Sequence, residues 1–232
     1  MNAEGGRESL LAPEPKEIKW VCGVDLSGPA NAAGTAVECF SLQDGRLDYH
    51  SSLCPACDAQ IVECVGKLAE SGAVAIGLDA PLSYKDGGGM RDCDKELSSR
   101  LKKKGFNFIG VMPPLLTFMA YLTLRGVVLA RGLELTCGNR VHVVEVHPGA
   151  AMALQGAPKD ALAVYKKSEK LPPELRGWLV NQGLHDLPEH IPGTSHQIDA
   201  AAAVLATWKW LTGKHAWLAP ADPPARPYDF AC

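Results

Sequence analysis

Long apolar runs are missing from this sequence, and so is a strong excess of either charge. The longest apolar stretches, such as residues 111–116, are short and contain prolines, so none is long enough to span a bilayer. The 232 residues carry a formal net charge of −3, which argues against a protein that coats nucleic acid through bulk positive charge. No secretory signal is visible, and the polar, acidic residues 1–17 predict a flexible leader. We therefore expect a cytoplasmic protein with no membrane partner.

A second pair of closely spaced cysteines is also missing. Cys54-Pro-Ala-Cys57 is a CxxC motif and Cys64 follows it, but structural zinc sites usually need two such pairs. A metal or redox role for these three cysteines is one interpretation, and packing of a helix against the core is the favoured one. Cys22 and Cys39 lie in strand-like segments and are expected to be buried. The residues that share one face of the predicted helix are Cys57, Ile61, Cys64, Val65 and Leu68.

The order of the strand-like and helical segments predicts an α/β fold. Two strand-like segments flank the turn signal Asp44-Gly45, so the first three strands are expected to be antiparallel. A helix at residues 55–71 then leads to a short, continuously apolar segment, which is typical of a strand buried on both faces. This crossover implies a parallel pair and hence a mixed sheet. The predicted strands cover residues 18–26, 34–42, 47–53, 73–78 and 141–146.

These five strands are expected to form one mixed sheet with flanking helices, in a single domain over residues 18–218. Residues 84–138 contain a glycine-rich loop and helical segments, which predict a helical insertion before the fifth strand. The last helix is marked by a capping box at Thr194 and Gln197, followed by an alanine-rich run. The proline-rich tail at residues 219–232 is expected to lie on the surface.

Four acidic residues occupy positions that ordinary packing disfavours, at the ends of apolar segments or inside them. A buried carboxylate is costly unless a cation or hydrogen bonds compensate it, and clustered carboxylates repel one another. We therefore predict that the four hold divalent metal ions, and oxygen-only ligands favour Mg²⁺ or Mn²⁺. Two such ions can promote the cleavage of a phosphodiester. The predicted metal ligands are Asp25, Asp79, Glu145 and Asp199.

Each of these acids has a structural alternative. Asp25 and Asp79 precede turn residues and could simply belong to the turns. Glu145 could lie on an exposed face of its strand. Asp199 could be an acid that the helix dipole favours in a first turn. The joint occurrence of all four in apolar settings favours a shared site.

Basic and histidine residues near these acids are further candidates. His196 lies about one helical turn from Asp199 and could orient a water molecule or carry a proton. His147 could do the same beside Glu145, although a lone histidine is more often structural. Cations on the insertion helix could contact phosphate, with a solvated helix face as the alternative. The predicted substrate-binding residues are Arg91, Asp94, Lys95, Lys166 and Arg176.

Five short motifs follow one another over nearly the whole chain. They are Gly23-Val24-Asp25, Gly77-Leu78-Asp79-Ala80-Pro81-Leu82, Arg91-Asp92-Cys93-Asp94, Val144-Glu145-Val146-His147-Pro148 and Asp199-Ala200-Ala201-Ala202. With them the chain resembles the DUF429 family, described as predicted nucleases with a ribonuclease-H-like fold. The resemblance implies that fold, the acidic-site role of the four carboxylates, and a polar role for two residues of the third motif, Arg91 and Asp94.

Two departures from the family pattern affect the site. Such families often show a tyrosine where this chain has His147, and paired aspartates where this chain has Asp199 alone after Ile198. Loss of a second acid on the last helix would weaken one of two metal positions.

The leading hypothesis is a divalent-metal-dependent nuclease in which Asp25 bridges two metal ions and nucleic acid is the substrate. A phosphotransferase or ATPase of the same superfamily is an alternative, since Val24-Asp25-Leu26-Ser27-Gly28 loosely resembles a phosphate loop. The chain lacks the GxxxxGK[ST] and GxGxxG motifs that would favour nucleotide binding. A non-catalytic binding module with the same fold is the third hypothesis.

Overall fold

Eight strands form one mixed sheet in the computed structural model of the chain, which describes residues 17–168, 172–190 and 193–232. The predicted leader lies outside these residues except for Glu17. The strands are β1 Ile18–Asp25, β2 Ala36–Gln43, β3 Arg46–Leu53, β4 Ala73–Asp79, β5 Val141–Val146, β6 Leu184–His185, β7 Leu218–Ala219 and β8 Phe230–Ala231. Across the sheet they follow the order β6-β3-β2-β1-β4-β5-β8-β7.

The first three strands form an antiparallel meander, as predicted. The turn between β2 and β3 contains Asp44 and Gly45, whose φ angles are 51° and 78°. A two-residue hairpin turn requires such left-handed conformations, which glycine and aspartate adopt more readily than most residues. The Asp-Gly pair therefore determines where the chain reverses.

Helical crossovers connect the parallel strands in the middle of the sheet. Helix α1, Asp58–Ser71, leads from β3 to β4, and helices α2, Asp92–Lys103, and α3, Phe118–Cys137, lie between β4 and β5. β4 is parallel to β1 on one side and to β5 on the other, which buries its apolar run on both faces. Helical segments thus lie before the fifth strand, where the sequence places them.

The remaining helices follow β5. The predicted N-terminal cap of the last helix is present, because the hydroxyl of Thr194 accepts a hydrogen bond from the backbone N–H of Gln197 at 3.2 Å. The side chain of Gln197 accepts instead from Gly193 N–H at 2.9 Å, one residue before the cap. These helices are α4 Pro148–Leu154, α5 Lys159–Val164, α6 Pro173–Asn181 and α7 Ser195–Leu211.

Helix α7 covers one face of the sheet, and α1 and α3 cover the other. Two glycines allow the close approach of α7. A Cβ atom at Gly23 would lie 2.2 Å from the carbonyl oxygen of Ala200, and one at Gly77 would lie 2.2 Å from Thr207 Oγ1. No side chain fits at either strand position, so the two glycines set how deeply α7 packs.

Two features differ from the sequence predictions. The sheet has three strands more than the predicted five, all of them two residues long. The tail is not confined to the surface, because Phe230 and Ala231 form a strand beside β5 and Cys232 is fully buried. Two-residue strands have no periodicity from which they could be predicted. Among the described residues, no helix is both long and apolar enough to cross a membrane.

Candidate functional site

Three carboxylates meet where β1 and β4 end. Asp25 and Asp79 are the last residues of these neighbouring parallel strands and lie opposite each other in register, so they project from the same face of the sheet. α7 covers that face, because a glycine stands two residues before each aspartate and allows the helix to approach. Asp199, near the start of α7, contributes the third carboxylate.

Burial and mutual repulsion act on this group, which we call the aspartate cluster. Burial is the main reason that the pKa of Asp25 rises to about 6; the charge of Asp199 adds to the rise, and the hydrogen bond with His196 opposes it. Burial and then the charges of Asp25 and Asp199 hold the pKa of Asp79 well above its ordinary value. Negative charges crowded in this way favour a bound cation, which would remove their repulsion.

Three side chains supply positive charge or hydrogen bonds to the cluster. Nδ1 of His196 lies 2.7 Å from Asp25 Oδ2, and this contact raises the pKa of His196. Asp199 binds two residues just after α5: Tyr165 donates its hydroxyl at 2.7 Å, and Lys166 Nζ lies at 2.9 Å. Burial lowers the pKa of Lys166, but the combined attraction of Asp199, Asp79 and Asp25 outweighs this effect and keeps the ammonium group charged.

The donor atoms of the aspartate cluster suit a hard divalent cation, but the positions of the side chains suit it only in part. Its donors are carboxylate oxygens, which Mg²⁺ and Mn²⁺ prefer. In the part of the chain that the structure describes, however, no three His, Cys, Asp or Glu side chains are arranged around a common metal position. Lys166 already binds one oxygen of Asp199. A cation that used Asp199 would have to displace this ammonium group.

Glu145 does not belong to the aspartate cluster. It pairs in register with Leu78, one residue before Asp79, and successive residues of a strand face opposite sides of the sheet. Arg91 donates to both of its carboxylate oxygens, at 2.5 and 2.9 Å, and Leu82 N–H donates to one of them at 2.9 Å. Burial raises the pKa of Glu145, and Arg91 opposes that shift.

Arg91 also binds Asp94, so the three residues form a second, fully paired site. Its guanidinium donates to Asp94 Oδ1 at 2.7 Å and Oδ2 at 3.0 Å, and the Arg91 backbone N–H donates to Oδ2 at 2.9 Å. Cζ of Arg91 lies 5.5 Å from the ring centre of Phe230, a cation–π contact. All three charged side chains are buried. We call this set the Arg91 site.

Of the other predicted residues, Lys95 and Arg176 contact residues outside the aspartate cluster, whereas His147 lies close enough to it for the charges of Lys166 and Asp199 to act on its pKa. Lys95 is exposed and pairs with Asp92 at 2.8 Å, as expected of a solvated helix face. Arg176 donates to the carbonyl of Leu187 at 2.6 Å. His147 caps α4, where its Nδ1 accepts from Ala150 N–H, and its Nε2 lies 3.0 Å from the carbonyl oxygen of Gly110. Its hydrogen bonds are those of a structural histidine.

The cysteines follow the packing interpretation in part. Cys22 and Cys39 are buried as predicted, with their sulfur atoms 3.1 Å apart, and Cys64 lies 4.0 Å from Cys39. Cys57 is exposed at the cap of α1 and does not face the core. The eight cysteines are all free thiols.

A further buried acid behind the aspartate cluster is absent from the predictions. Glu38 on β2 accepts hydrogen bonds from Ser52 at 2.7 Å and from Gln197 at 3.3 Å, and its second oxygen has no partner among the described residues. Burial raises its pKa to about 8, against the effect of these hydrogen bonds. The signal is visible in the sequence, because Glu38 stands between Val37 and Cys39, an apolar setting like that of Glu145.

A comparison with known protein families gives a match over most of the chain. The model of the family "Protein of unknown function (DUF429)" matches residues 23–225, which is most of the chain. The chain belongs to the DUF429 family. That match includes the aspartate cluster and the Arg91–Glu145 pair, and leaves β8 outside. No curated protein and no solved structure matches the chain.

Proposed function

We propose that this DUF429 chain is a divalent-metal-dependent phosphodiesterase that acts on nucleic acid. The observation that carries the proposal is the register of Asp25 and Asp79, which brings two carboxylates side by side at a buried strand end, with Asp199 facing them. Such crowding destabilises the fold, and a cation-binding role is a physical reason for it.

Asp25 and Asp79 would hold the cation, with Asp199 as a third ligand once Lys166 is displaced. Bound Mg²⁺ or Mn²⁺ supplies charge that stabilises a phosphate undergoing attack by water. Two residues of the chain would transfer a proton and bind the phosphate. His196, whose pKa is raised by Asp25, can carry a proton at the rim of the site, and Lys166 can pair with a phosphate oxygen when it leaves Asp199.

We also propose that the fold is ribonuclease-H-like, with β1 to β5 as its sheet. Two observations support this assignment: the order β3-β2-β1-β4-β5 in the middle of the sheet, and an antiparallel meander followed by parallel strands. Acids at the ends of the two central strands and on the last long helix agree with it. The three outer strands would be additions to that sheet.

Cleavage assays with Mn²⁺ test the proposed reaction. Wild type, Asp25→Asn and Asp160→Asn would be compared on single-stranded, hybrid and branched substrates, with Asp160 as a control acid because it is exposed on α5. We expect Mn²⁺-dependent cleavage by wild type and Asp160→Asn, and a loss of at least about 100-fold in Asp25→Asn. If wild type never exceeds Asp25→Asn on any substrate, the proposal fails.

The contact between Lys166 and Asp199 favours a second candidate, a binding module without turnover. An ammonium group held at 2.9 Å from Asp199 partly neutralises the cluster without any metal. This candidate predicts that the melting temperature does not respond to Mg²⁺ or Mn²⁺. A melting temperature that rises with Mn²⁺ in wild type, and not in Asp79→Asn, would exclude it.

A further inference from the structure

A small cavity adjoins the aspartate cluster. Its volume is about 250 Å³, below the roughly 300–1,000 Å³ of pockets for drug-sized ligands, so it suits a single ring system. Tyr165 and Lys166, which bind Asp199, also line this cavity, so a ligand that enters it extends to the edge of the cluster.

The lining of the cavity combines apolar and cationic side chains. Phe108, Ile109 and Leu162 supply apolar surface, whereas Lys166 and Lys167 supply positive charge. Phe108 remains 45% exposed, which leaves much of its side chain available to a ligand. A ligand that satisfies both features is a flat ring joined to an anion, and a nucleotide unit has this chemistry.

The cavity is held in place by its own hydrogen bonds and ring contacts. His147 Nε2 lies 3.0 Å from the carbonyl oxygen of Gly110, which ties the loop of Phe108 to the start of α4. The ring of Phe106 packs edge-on against Phe108, with ring centres 6.0 Å apart. A preformed wall of this kind loses little entropy when a ligand binds.

We propose that this cavity receives the base of one unpaired nucleotide whose phosphate lies beside Lys166, an inference that rests on the nucleic-acid substrate proposed above. A base inside the cavity cannot remain stacked and paired in a duplex. The protein therefore binds single strands, loops or frayed ends in preference to continuous duplex.

Two neighbouring residues of α5 allow a matched test. Ala163 is exposed and lines the cavity, so Ala163→Trp fills the cavity without replacing a core side chain. Val164 is also exposed but lies outside the lining, so Val164→Trp adds the same bulk beside the cavity. Equal melting temperatures of both variants and wild type would confirm that the fold is intact.

The measurement is the affinity for a fluorescent single-stranded oligonucleotide and for its blunt duplex, by anisotropy in Mg²⁺ buffer. We expect wild type and Val164→Trp to favour the single strand, and Ala163→Trp to bind it at least about tenfold more weakly. The inference is overturned if wild type binds neither nucleic acid, if it binds duplex equally well, or if Ala163→Trp binds like wild type.

The same variants separate this inference from the proposed reaction. If Ala163→Trp loses single-strand affinity while wild type cleaves no substrate, the cavity assignment stands and the phosphodiesterase assignment fails. If wild type cleaves with Mn²⁺ and Ala163→Trp cleaves all substrates equally well, the reaction stands and the cavity assignment fails.

A second inference comes from an independent surface on α3. This helix is apolar on the face that packs against the sheet and also on the face turned to solvent. Five large apolar side chains form a ridge along the outer face, each at least 60% exposed. The ridge consists of Phe118, Tyr121, Leu124, Val128 and Leu135.

A groove lies next to this ridge. α1 and α3 enclose it with small residues, among them Ala59, Gly66 and Gly132, and its volume is about 640 Å³. A Cβ atom added at Gly132 would meet no atom of the described residues within 4 Å, so they leave the groove open there. Val128 belongs to both the ridge and the wall of the groove. The ridge and the groove thus lie side by side on one surface, so the ridge of one copy could enter the groove of another.

The geometry points to a second copy of this chain as the partner, bound about a two-fold axis. A two-fold interface requires a self-complementary surface, and the ridge and groove side by side provide one. The two aromatic side chains of the ridge alone expose roughly 200–300 Å², at 150–250 Å² for a full aromatic side chain. The three aliphatic ridge residues and the groove add to this area, toward the roughly 800 Å² per partner of a standard interface. The charges around the groove are largely compensated within each copy, which limits repulsion between two copies. Lys67 pairs with Glu63 and is attracted by Glu70, Asp58 pairs with Arg125, and Arg131 pairs with Glu134.

Analytical ultracentrifugation of the full chain over a wide concentration range tests this interface. We expect wild type to reach twice the chain mass of 24.7 kDa. Leu124→Glu charges the ridge and Gly132→Leu fills the groove, so both should be monomeric, whereas Val164→Glu, on α5 away from α3, should dimerise like wild type. A monomeric wild type, or a dimer that survives both α3 variants, would overturn the inference.

Discussion

Two groups of buried acids lie at the ends of neighbouring strands, and they differ in how fully their negative charges are compensated. At the Arg91 site, Glu145 and Asp94 share one guanidinium and every charge has a partner. In the aspartate cluster, Asp25 and Asp79 repel each other, and Lys166 and His196 compensate them only in part. A paired acid maintains the fold, whereas an acid that raises the energy of the folded state needs another reason to be present. This contrast separates a structural site from a candidate active site.

The largest effect should come from removing the centre of the Arg91 site. Arg91→Ala leaves Glu145 and Asp94 buried without a counter-charge, so we expect the free energy of unfolding to fall by about 3–5 kcal/mol. Urea denaturation measures it. Lys95→Ala, one helical turn away and exposed, should change stability by less than about 0.5 kcal/mol. Similar losses in the two variants would show that the paired site is not a structural one.

Moving the helix away from the aspartate cluster should have the next largest effect. Gly23→Ala would place a methyl group 2.2 Å from the Ala200 carbonyl oxygen, so α7 must shift and Asp199 with it. We expect a loss of about 2–4 kcal/mol in thermal or urea unfolding. Gly28→Ala is the matched control, because a Cβ atom there meets nothing within 4 Å in the described part of the chain, and it should lose less than about 1 kcal/mol. Full stability of Gly23→Ala would mean that α7 does not depend on this glycine.

Neutralising one acid of each site should change the free energy of unfolding in opposite directions. Asp79→Asn removes a repelled charge and should stabilise the protein by about 1–3 kcal/mol at pH 8, because the pKa of Asp79 is held well above its ordinary value. Glu145→Gln turns an acceptor of Arg91 into a partial donor and should destabilise it by a similar amount. Chemical denaturation of both variants decides the matter. The same sign in both would remove the distinction between the two sites.

A smaller effect should appear as a pH dependence that comes from Glu38. Its pKa is about 8 in the fold against an ordinary 4.5, so the folded chain keeps a proton that the unfolded chain releases between these values. Stability from this residue is therefore greatest at low pH and falls by about 1 kcal/mol per pH unit as the pH rises toward 8. Glu38→Gln does not titrate at this position, so its free energy of unfolding should rise relative to that of wild type from pH 6 to pH 8. A constant difference would show that Glu38 is ionised throughout.

The sequence predicts the local elements well because their signals are local. The Asp-Gly turn, the Thr194 cap and the two acids at strand ends each depend on a few adjacent residues. The placement of Glu145 is a different kind of property. Whether it faces Asp79 depends on the register between β4 and β5, and a shift by one residue exchanges the two faces.

Other features depend on contacts between segments far apart in the chain. The role of Gly23 becomes visible only once α7 lies on it, and strand β8 is too short for a pattern of its own. Tyr165 reaches the cluster from a loop between helices, where no periodicity operates, beside Lys166, which is among the predicted substrate-binding residues. Glu38 is the exception, because an acid in an apolar strand is a local signal.

Mn²⁺ binding by wild type, Asp79→Asn and Glu145→Gln is the measurement that tests the central claim most directly. Isothermal titration at pH 8 would report affinity separately from stability, provided that each variant is folded at the working temperature. If the aspartate cluster is the metal centre and the Arg91 site is structural, wild type and Glu145→Gln bind Mn²⁺, and Asp79→Asn loses at least about tenfold in affinity. Wild type that does not bind Mn²⁺, or Asp79→Asn that binds it like wild type, would contradict the account.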